Sequence, residues 1–267
     1  MTKPERLAGF LAERYGLRIS AAEAVLGQGD EASVWRVLGS GRRLIVRSSP
    51  ASRDLGQLTA AYMLAAVLAE TVTEVTAPVR AIDGSVTARC EGRPISVWPY
   101  IEGTFLDRSD HDQLQAAAEL LARLHRAGSD WLRTTGEVPE DRPGLGLVHG
   151  DFYSRNLLVR DGRIEGLIDW DDARLERLDA ELAWATWELA KSPDGDALLL
   201  DQAARFLEAY RRADGPGRPG ADFISLIRTR LIGELGGDDP DYDASLRAAL
   251  RSLADDDRHQ VLIQPAG

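Results

Sequence analysis

His149-Gly150-Asp151-Phe152-Tyr153-Ser154-Arg155-Asn156, followed by Ile168-Asp169-Trp170, is the stretch on which the reading of this chain turns. Between the two segments run Leu157-Leu158-Val159-Arg160 and Arg163-Ile164-Glu165-Gly166-Leu167, separated by Asp161-Gly162. An Asp-Gly pair between two β-favouring runs signals a two-residue hairpin. With Asp161 and Gly162 as the turn, Arg160 faces Arg163, Asn156 faces Leu167, and Asp169 follows two residues later on the same face. Two residues of strand cover about 7 Å, so the hairpin is expected to carry Asn156 and Asp169 to one place.

An amide and a carboxylate side by side, with Asp151 just upstream, suit one chemistry in particular. The spacing D-x-x-x-x-N sets a base beside a metal-binding amide in phosphoryl transfer, and a later Asp supplies the main carboxylate for Mg²⁺. Mg²⁺ takes oxygen ligands and keeps several waters, so two such groups and the phosphates of a nucleotide suffice. A zinc pair made by His149 and Asp151 is a weaker alternative: the other histidines are His111, His125 and His259, none at ligand spacing to His149.

The chain has 267 residues, 44% hydrophobic and 28% charged, which fits a folded protein with one large domain or two lobes. The single cysteine, Cys90, leaves no internal disulfide, and a reducing, cytoplasmic location is expected. The start of the chain is too charged for a signal peptide, and no apolar window reaches the length of a membrane span. The net charge of −11 falls almost wholly after residue 102. That excludes a basic nucleic-acid footprint and favours cationic small molecules by steering. Oligomeric state is not legible.

Residues 1–102 read as a β-rich lobe: a short amphipathic helix at the start, a hairpin at 34–38 and 44–47, a helix at 54–70, and strands at 86–90 and 95–101. Residues 103–267 read as an α-rich lobe. A capping box at Ser109 and Asp112 opens a helix through His125, and further helices are expected at 178–191, 197–212, 221–235 and 242–253.

Taken together, the motif from Val148 to Trp170 and this element order resemble the aminoglycoside phosphotransferase and choline kinase superfamily. The resemblance implies an α+β, bilobal protein kinase-like fold. It also implies an enzyme that moves the γ-phosphate of ATP, with Mg²⁺, to a hydroxyl of a small molecule. The acceptor is expected to be cationic, of aminoglycoside or amino-alcohol type, which includes antibiotic modification. By that resemblance Asp151 is the catalytic acid-base residue, Asn156 and Asp169 hold Mg²⁺, and His149 braces the loop. Gly27 and Gly29 would belong to the loop over the nucleotide phosphates, where glycine lets backbone N–H groups come close. Pro99 and Ile101 would offer a carbonyl and an N–H to the adenine edge.

Two departures from the family pattern stand out. Arg47 sits at the strand position usually held by a phosphate-binding Lys; arginine keeps the charge and can grip oxygens through two donors. Its helix partner is usually Glu, but the register offers Ala61. Either that register is off by a turn, another acid holds Arg47, or the cation is loosely oriented, and the last case leaves room for a non-catalytic nucleotide-binding module. Asp171, Asp172, Glu176 and Asp179 are the acids expected to hold the acceptor's amino groups.

Overall fold

The computed structural model describes residues 4–25, 32–136, 144–237, 239–254, 259 and 262. By its internal contacts the chain divides into two compact units, Met1–Glu102 with Trp170–Ala173, and Gly103–Asp169 with Arg174–Gly267. Residues 170–173 thus cluster with the first unit, an excursion that a single boundary after residue 102 does not include.

The first unit holds α1 (Pro4–Tyr15), β1 (Ile19–Ala24), β2 (Ser33–Gly39), β3 (Arg42–Ser48), α2 (Leu55–Leu68), β4 (Ala88–Cys90) and β5 (Arg93–Pro99). The strands form an antiparallel sheet ordered β1-β2-β3-β5-β4. In β2 and β3 the buried residues alternate, Trp35 and Val37 against Leu44 and Val46, and α1 lays Leu7 and Leu11 on the same core. Burying each of these side chains contributes about 1.5–3 kcal/mol. The sequence reading missed β1: beyond half-buried Ile19 its residues are exposed, so an edge strand shows no alternating apolar pattern. Asp54 caps α2 by accepting from the Gln57 N–H.

The second unit holds β6 (Thr104–Phe105), α3 (His111–Thr135), β7 (Leu145–Val148), β8 (Leu157–Arg160), β9 (Arg163–Leu167) and β10 (Arg174–Arg177). Four helices follow: α4 (Leu178–Ala190), α5 (Leu200–Arg212), α6 (Phe223–Gly233) and α7 (Pro240–Ser252). Asp110, not Ser109, caps α3: its carboxylate accepts from the N–H groups of Asp112 and Gln113, while Ser109 turns back to Asp107. The helix α5 begins at Leu200, three residues after the expected start, because Leu198 is taken by a β-bridge to Lys191. Helix α4 is buried on nearly every side, so its polar members Glu181 and Glu188 must be satisfied internally.

The decisive hairpin forms, with a difference. Asp161 and Gly162 both have positive φ, 51° and 75°, as a tight primed turn requires, and Arg160 pairs with Arg163. A register shift then intervenes between Leu158 and Val159, so that Leu167 faces Leu157 rather than Asn156. Val159 pairs with Ile164 and Leu158 with Gly166, which leaves Glu165 as the extra residue of a bulge. Asn156 instead closes a 3-10 turn, Ser154–Asn156, just before β8.

Candidate active site

In the second unit, strand β7 leads directly into His149, which is fully buried and spans the loop. Its Nδ1 lies 3.3 Å from the Asp151 N–H that it accepts, and its Nε2 lies 3.0 Å from the Ile168 carbonyl. This pattern places the imidazole proton on Nε2. Ile168 is held from its other side too, donating its N–H to the Asn156 carbonyl at 2.9 Å. The peptide ahead of Asp169 is therefore fixed by both ends of the motif. Asp169 itself adopts φ 64°, a left-handed backbone that non-glycine residues seldom adopt outside constrained sites.

Asn156, 3% exposed, donates Nδ2 to the Asp151 carbonyl at 2.8 Å and to Asp151 Oδ2 at 3.0 Å. With both amide protons committed, Oδ1 is the atom left to serve as a ligand oxygen, the donor type that a hard cation takes. Tyr153 reports the local field. Burial first, then the charges of Asp151 and Asp169, push its hydroxyl up to about 12.

Gly150 adopts φ 85° and donates its N–H at 2.6 Å to Oε1 of Glu181, a buried acid on α4. The other Glu181 oxygen lies 2.8 Å from His125 Nε2, and His125 Nδ1 lies 2.7 Å from the Tyr210 hydroxyl, which accepts the Gly217 N–H. A continuous buried network thus runs from the loop after α5, through α5, α3 and α4, to the backbone beside Asp151. The sequence reading assigns none of these roles; it places His125 only at the end of the expected helix.

In the first unit, Arg47 lies on β3 between Val34 and Ser96 of the neighbouring strands. Its Nη2 donates to Asp171 Oδ2 at 2.8 Å, and the Tyr62 hydroxyl donates to Asp171 Oδ1 at 2.6 Å. Arg53 Nη2 stands 3.6 Å from the same carboxylate. The partner of Arg47 is therefore an acid that returns from the far side of the motif, while α2 supplies Tyr62, next to Ala61, as a second anchor. Burial and the neighbouring Asp171 charge raise the Tyr62 hydroxyl well above its ordinary range, which keeps it a donor. Half-buried Pro99 ends β5 opposite Leu44, and half-buried Ile101 follows Tyr100, whose N–H reaches the Arg43 carbonyl. Gly27 and Gly29 lie outside the described residues.

The acids expected to bind the acceptor divide between the two units, Asp171 and Asp172 in the first and Glu176 and Asp179 in the second. Asp171 is engaged by Arg47 and Tyr62, and Asp172 is exposed, 3.8 Å from Arg53. Asp179 is clamped by Arg177, which also holds Asp222. Glu176 lines a cavity of about 450 Å³ in the second unit whose wall includes Gly150, Trp184, Thr229, Arg230 and Glu234. The cavity residues on α6 and at its end were not foreseen.

Against known proteins, the profile described as "Phosphotransferase enzyme family" matches residues 23–143 and 131–224. Among solved structures, amicoumacin kinase in complex with AMP-PNP, Ca²⁺ and Ami superposes with a TM-score of 0.72 at 12% identity, covering 96% of this chain and 94% of that one. A microcompartment-associated aminopropanol kinase gives 0.64 at 18% identity, covering 91% and 94%. The fold is thus α+β and protein kinase-like, that of the aminoglycoside phosphotransferases and amino-alcohol kinases. The chain belongs to the phosphotransferase enzyme family. Among curated relatives, a homoserine kinase of Mesorhizobium japonicum is 26% identical over 202 residues, 58% of this chain and 62% of that protein. One of Granulibacter bethesdensis is 24% identical over 219 residues, 68% of each. Several matched stretches span only about half of the relatives' length.

Proposed function

We propose that this protein is a small-molecule kinase that transfers the γ-phosphate of ATP to a hydroxyl of an amine-bearing acceptor, with Mg²⁺. The observation that carries the reading is the Asp151–Asn156 pair, locked by two amide hydrogen bonds and followed by the strained Asp169. In this reading Asp151 orients the acceptor hydroxyl and takes its proton as the phosphoryl group moves. Asn156 Oδ1 and Asp169 would hold Mg²⁺, which when bound neutralises charge on the phosphates. Arg47 grips the phosphates, Pro99 and Ile101 meet the adenine edge, and Gly27 and Gly29 cover the phosphates. Glu181 and His149 fix the loop that carries Asp151. The amine-bearing class is supported by relatives whose names include homoserine kinase and aminopropanol kinase.

ADP release from Mg²⁺-ATP tests the reading, measured with amino alcohols, amino sugars and hydroxylated amino acids as acceptors. Acceptor-dependent turnover, tracked by a phosphorylated product, is the expected result; ATP binding with no turnover on any of them would sink it. A non-catalytic module was motivated by the lack of a partner for Arg47, and the bonded Asp171 removes that motive.

Asp171→Asn separates the role of this acid from that of Asp169. Asn preserves an acceptor oxygen for Tyr62 but withdraws the charge that holds Arg47, so the KM for ATP is expected to rise roughly tenfold, the scale of one charge-assisted hydrogen bond. The acceptor KM should stay near its original value. A change confined to the acceptor KM would instead return Asp171 to the acceptor site.

A further inference from the structure

The buried network behind Gly150 has a single direction, and its far end lies in a segment that the transfer chemistry leaves unused. His125, Glu181 and Tyr210 are 0%, 4% and 1% exposed, so each donor among them has to find its acceptor inside the second unit. Tyr210 accepts the Gly217 N–H at 2.8 Å, and burial raises its hydroxyl well above the ordinary range, so it keeps its proton. Among the described residues the acceptor that receives this proton is His125 Nδ1, at 2.7 Å. The imidazole proton therefore sits on Nε2 and points at Glu181 Oε2, 2.8 Å away. With the Gly150 N–H on Oε1 at 2.6 Å, both oxygens of Glu181 accept, as those of a carboxylate do. Reversing any one of these bonds sets two donors or two acceptors face to face.

The loop that starts this chain of bonds is clasped to it. Gly217 approaches so closely that a Cβ there would stand 2.9 Å from the Tyr210 hydroxyl, and one at Gly215 would run into the Tyr210 ring. Arg126, beside His125 on α3, donates to the Ala213 carbonyl, and Arg218 donates to the carbonyls of Gly215 and Gly217. At the other end Gly150 holds φ 85° immediately before Asp151, so the direction of its N–H sets the peptide from which Asp151 projects. We propose that Tyr210 and His125 are positioning residues: they hold Glu181 as a charged, fixed acceptor for the Gly150 N–H, and so couple the loop at 213–217 to the placement of Asp151. The inference rests on reading Asp151 as the acid-base residue, and it adds residues that act on that acid through the backbone alone. Arg47, Asn156 and Asp169, which serve the nucleotide in that reading, take no part in these bonds, so breaking them should appear in kcat rather than in KM.

Tyr210→Phe keeps the buried ring and removes the hydroxyl. It should lower kcat for ADP release about 10- to 100-fold, the cost of a small misplacement that arises away from the chemistry, with both KM values within about twofold of wild type. Hydrogen exchange of the peptide holding Gly150, followed by mass spectrometry without nucleotide, should quicken about tenfold as its charge-assisted bond loosens, while exchange in β2 and β3 stays as in wild type. Glu181→Gln leaves one oxygen for two facing donors and should lose kcat to a similar degree. Combined with Tyr210→Phe it should lose no more than the larger single loss, because the second change has no chain left to act through. Gly217→Ala disturbs the chain from the loop and carries the test if Tyr210→Phe does not fold; it should repeat the fall in kcat and the faster exchange at Gly150. Faster exchange at Gly150 in a protein with no turnover on any amino alcohol, amino sugar or hydroxylated amino acid supports the coupling and overturns the kinase reading. Unchanged exchange at Gly150 in Tyr210→Phe, wild-type kcat in spite of faster exchange, fully additive losses in the double variant, or a loss confined to KM overturns the coupling.

Discussion

Asp151→Asn is expected to lower kcat by about 10²–10⁴-fold, the range that a positioned general base contributes, while the affinity for Mg²⁺-ATP stays within about twofold. The contrast follows from the hydrogen bonds. Asn156 reaches Asp151 through its Nδ2, donating to both the backbone carbonyl and a side-chain oxygen, and an asparagine at 151 keeps an oxygen for the second bond. The first bond, the Asp151 N–H to His149 and the Gly150 N–H to Glu181 involve backbone atoms and survive the substitution. The loop should therefore hold its shape while its acid-base group is gone. Steady-state ADP release gives kcat, and fluorescence titration with a non-hydrolysable nucleotide gives affinity. Undiminished turnover would remove Asp151 from the chemistry, and a parallel collapse of nucleotide binding would show that it supports the site instead of acting in it.

The parts of this site that were legible in the sequence are those set by local rules. Asp161-Gly162 states its turn in two letters, because few residues other than glycine tolerate positive φ without cost. The dense apolar run of α4 is equally local and forms within a residue of its expected bounds, whereas α3 continues ten residues past His125, to Thr135. The bulge at Glu165 was not legible. Nothing in Ile164-Glu165-Gly166 distinguishes a regular pair from one with an extra residue, and a slip by one changes which residue faces Leu167. The backbone of Asn156 is tied to the residue ahead of Asp169, by a bond from the Ile168 N–H in place of the cross-strand pairing first expected.

What sequence could not place are the partners that arrive from far along the chain. The acid that holds Arg47 was sought on α2, near in sequence, and lies at Asp171, which joins the first unit only through the return of residues 170–173. Acceptor-binding acids were sought in the run after Asp169 because they follow the motif directly. Arg47, Arg53 and Arg177 engage Asp171, Asp172 and Asp179, and Glu176 lines the cavity together with Thr229, Arg230 and Glu234 around α6. Trp184 shows the same limit at a single residue. Its neighbours Leu182, Ala183 and Ala185 are core, and nothing in the sequence marks that its N–H has no hydrogen-bond partner among the described residues.

Asp169→Asn is expected to reduce turnover on the order of a thousandfold and to abolish the dependence of nucleotide affinity on Mg²⁺, the loss anticipated for removing a preorganised charge from the transferring phosphate. The choice of asparagine matters because of the backbone. At φ 64° Asp169 occupies the left-handed region, which Asn and Asp enter more readily than other side chains. Asparagine can hold that conformation, whereas alanine there is strained by about 1–2 kcal/mol. The two substitutions thus divide chemistry from scaffold: Asp169→Asn should melt with the wild type, and Asp169→Ala should melt lower, with both inactive. Titrating nucleotide at zero and at saturating Mg²⁺ reads the metal role directly. If Asp169→Asn binds nucleotide with the wild-type response to Mg²⁺, the strained carboxylate does not face the metal, and the pairing of Asn156 with Asp169 around one ion fails. If instead the response vanishes while Asp151→Asn retains it, the two acids of the motif have distinct tasks. One then serves the nucleotide and the other the acceptor, as their different surroundings require: Asp151 bonded to an amide that restrains it, Asp169 at the end of a peptide pinned between His149 and Asn156.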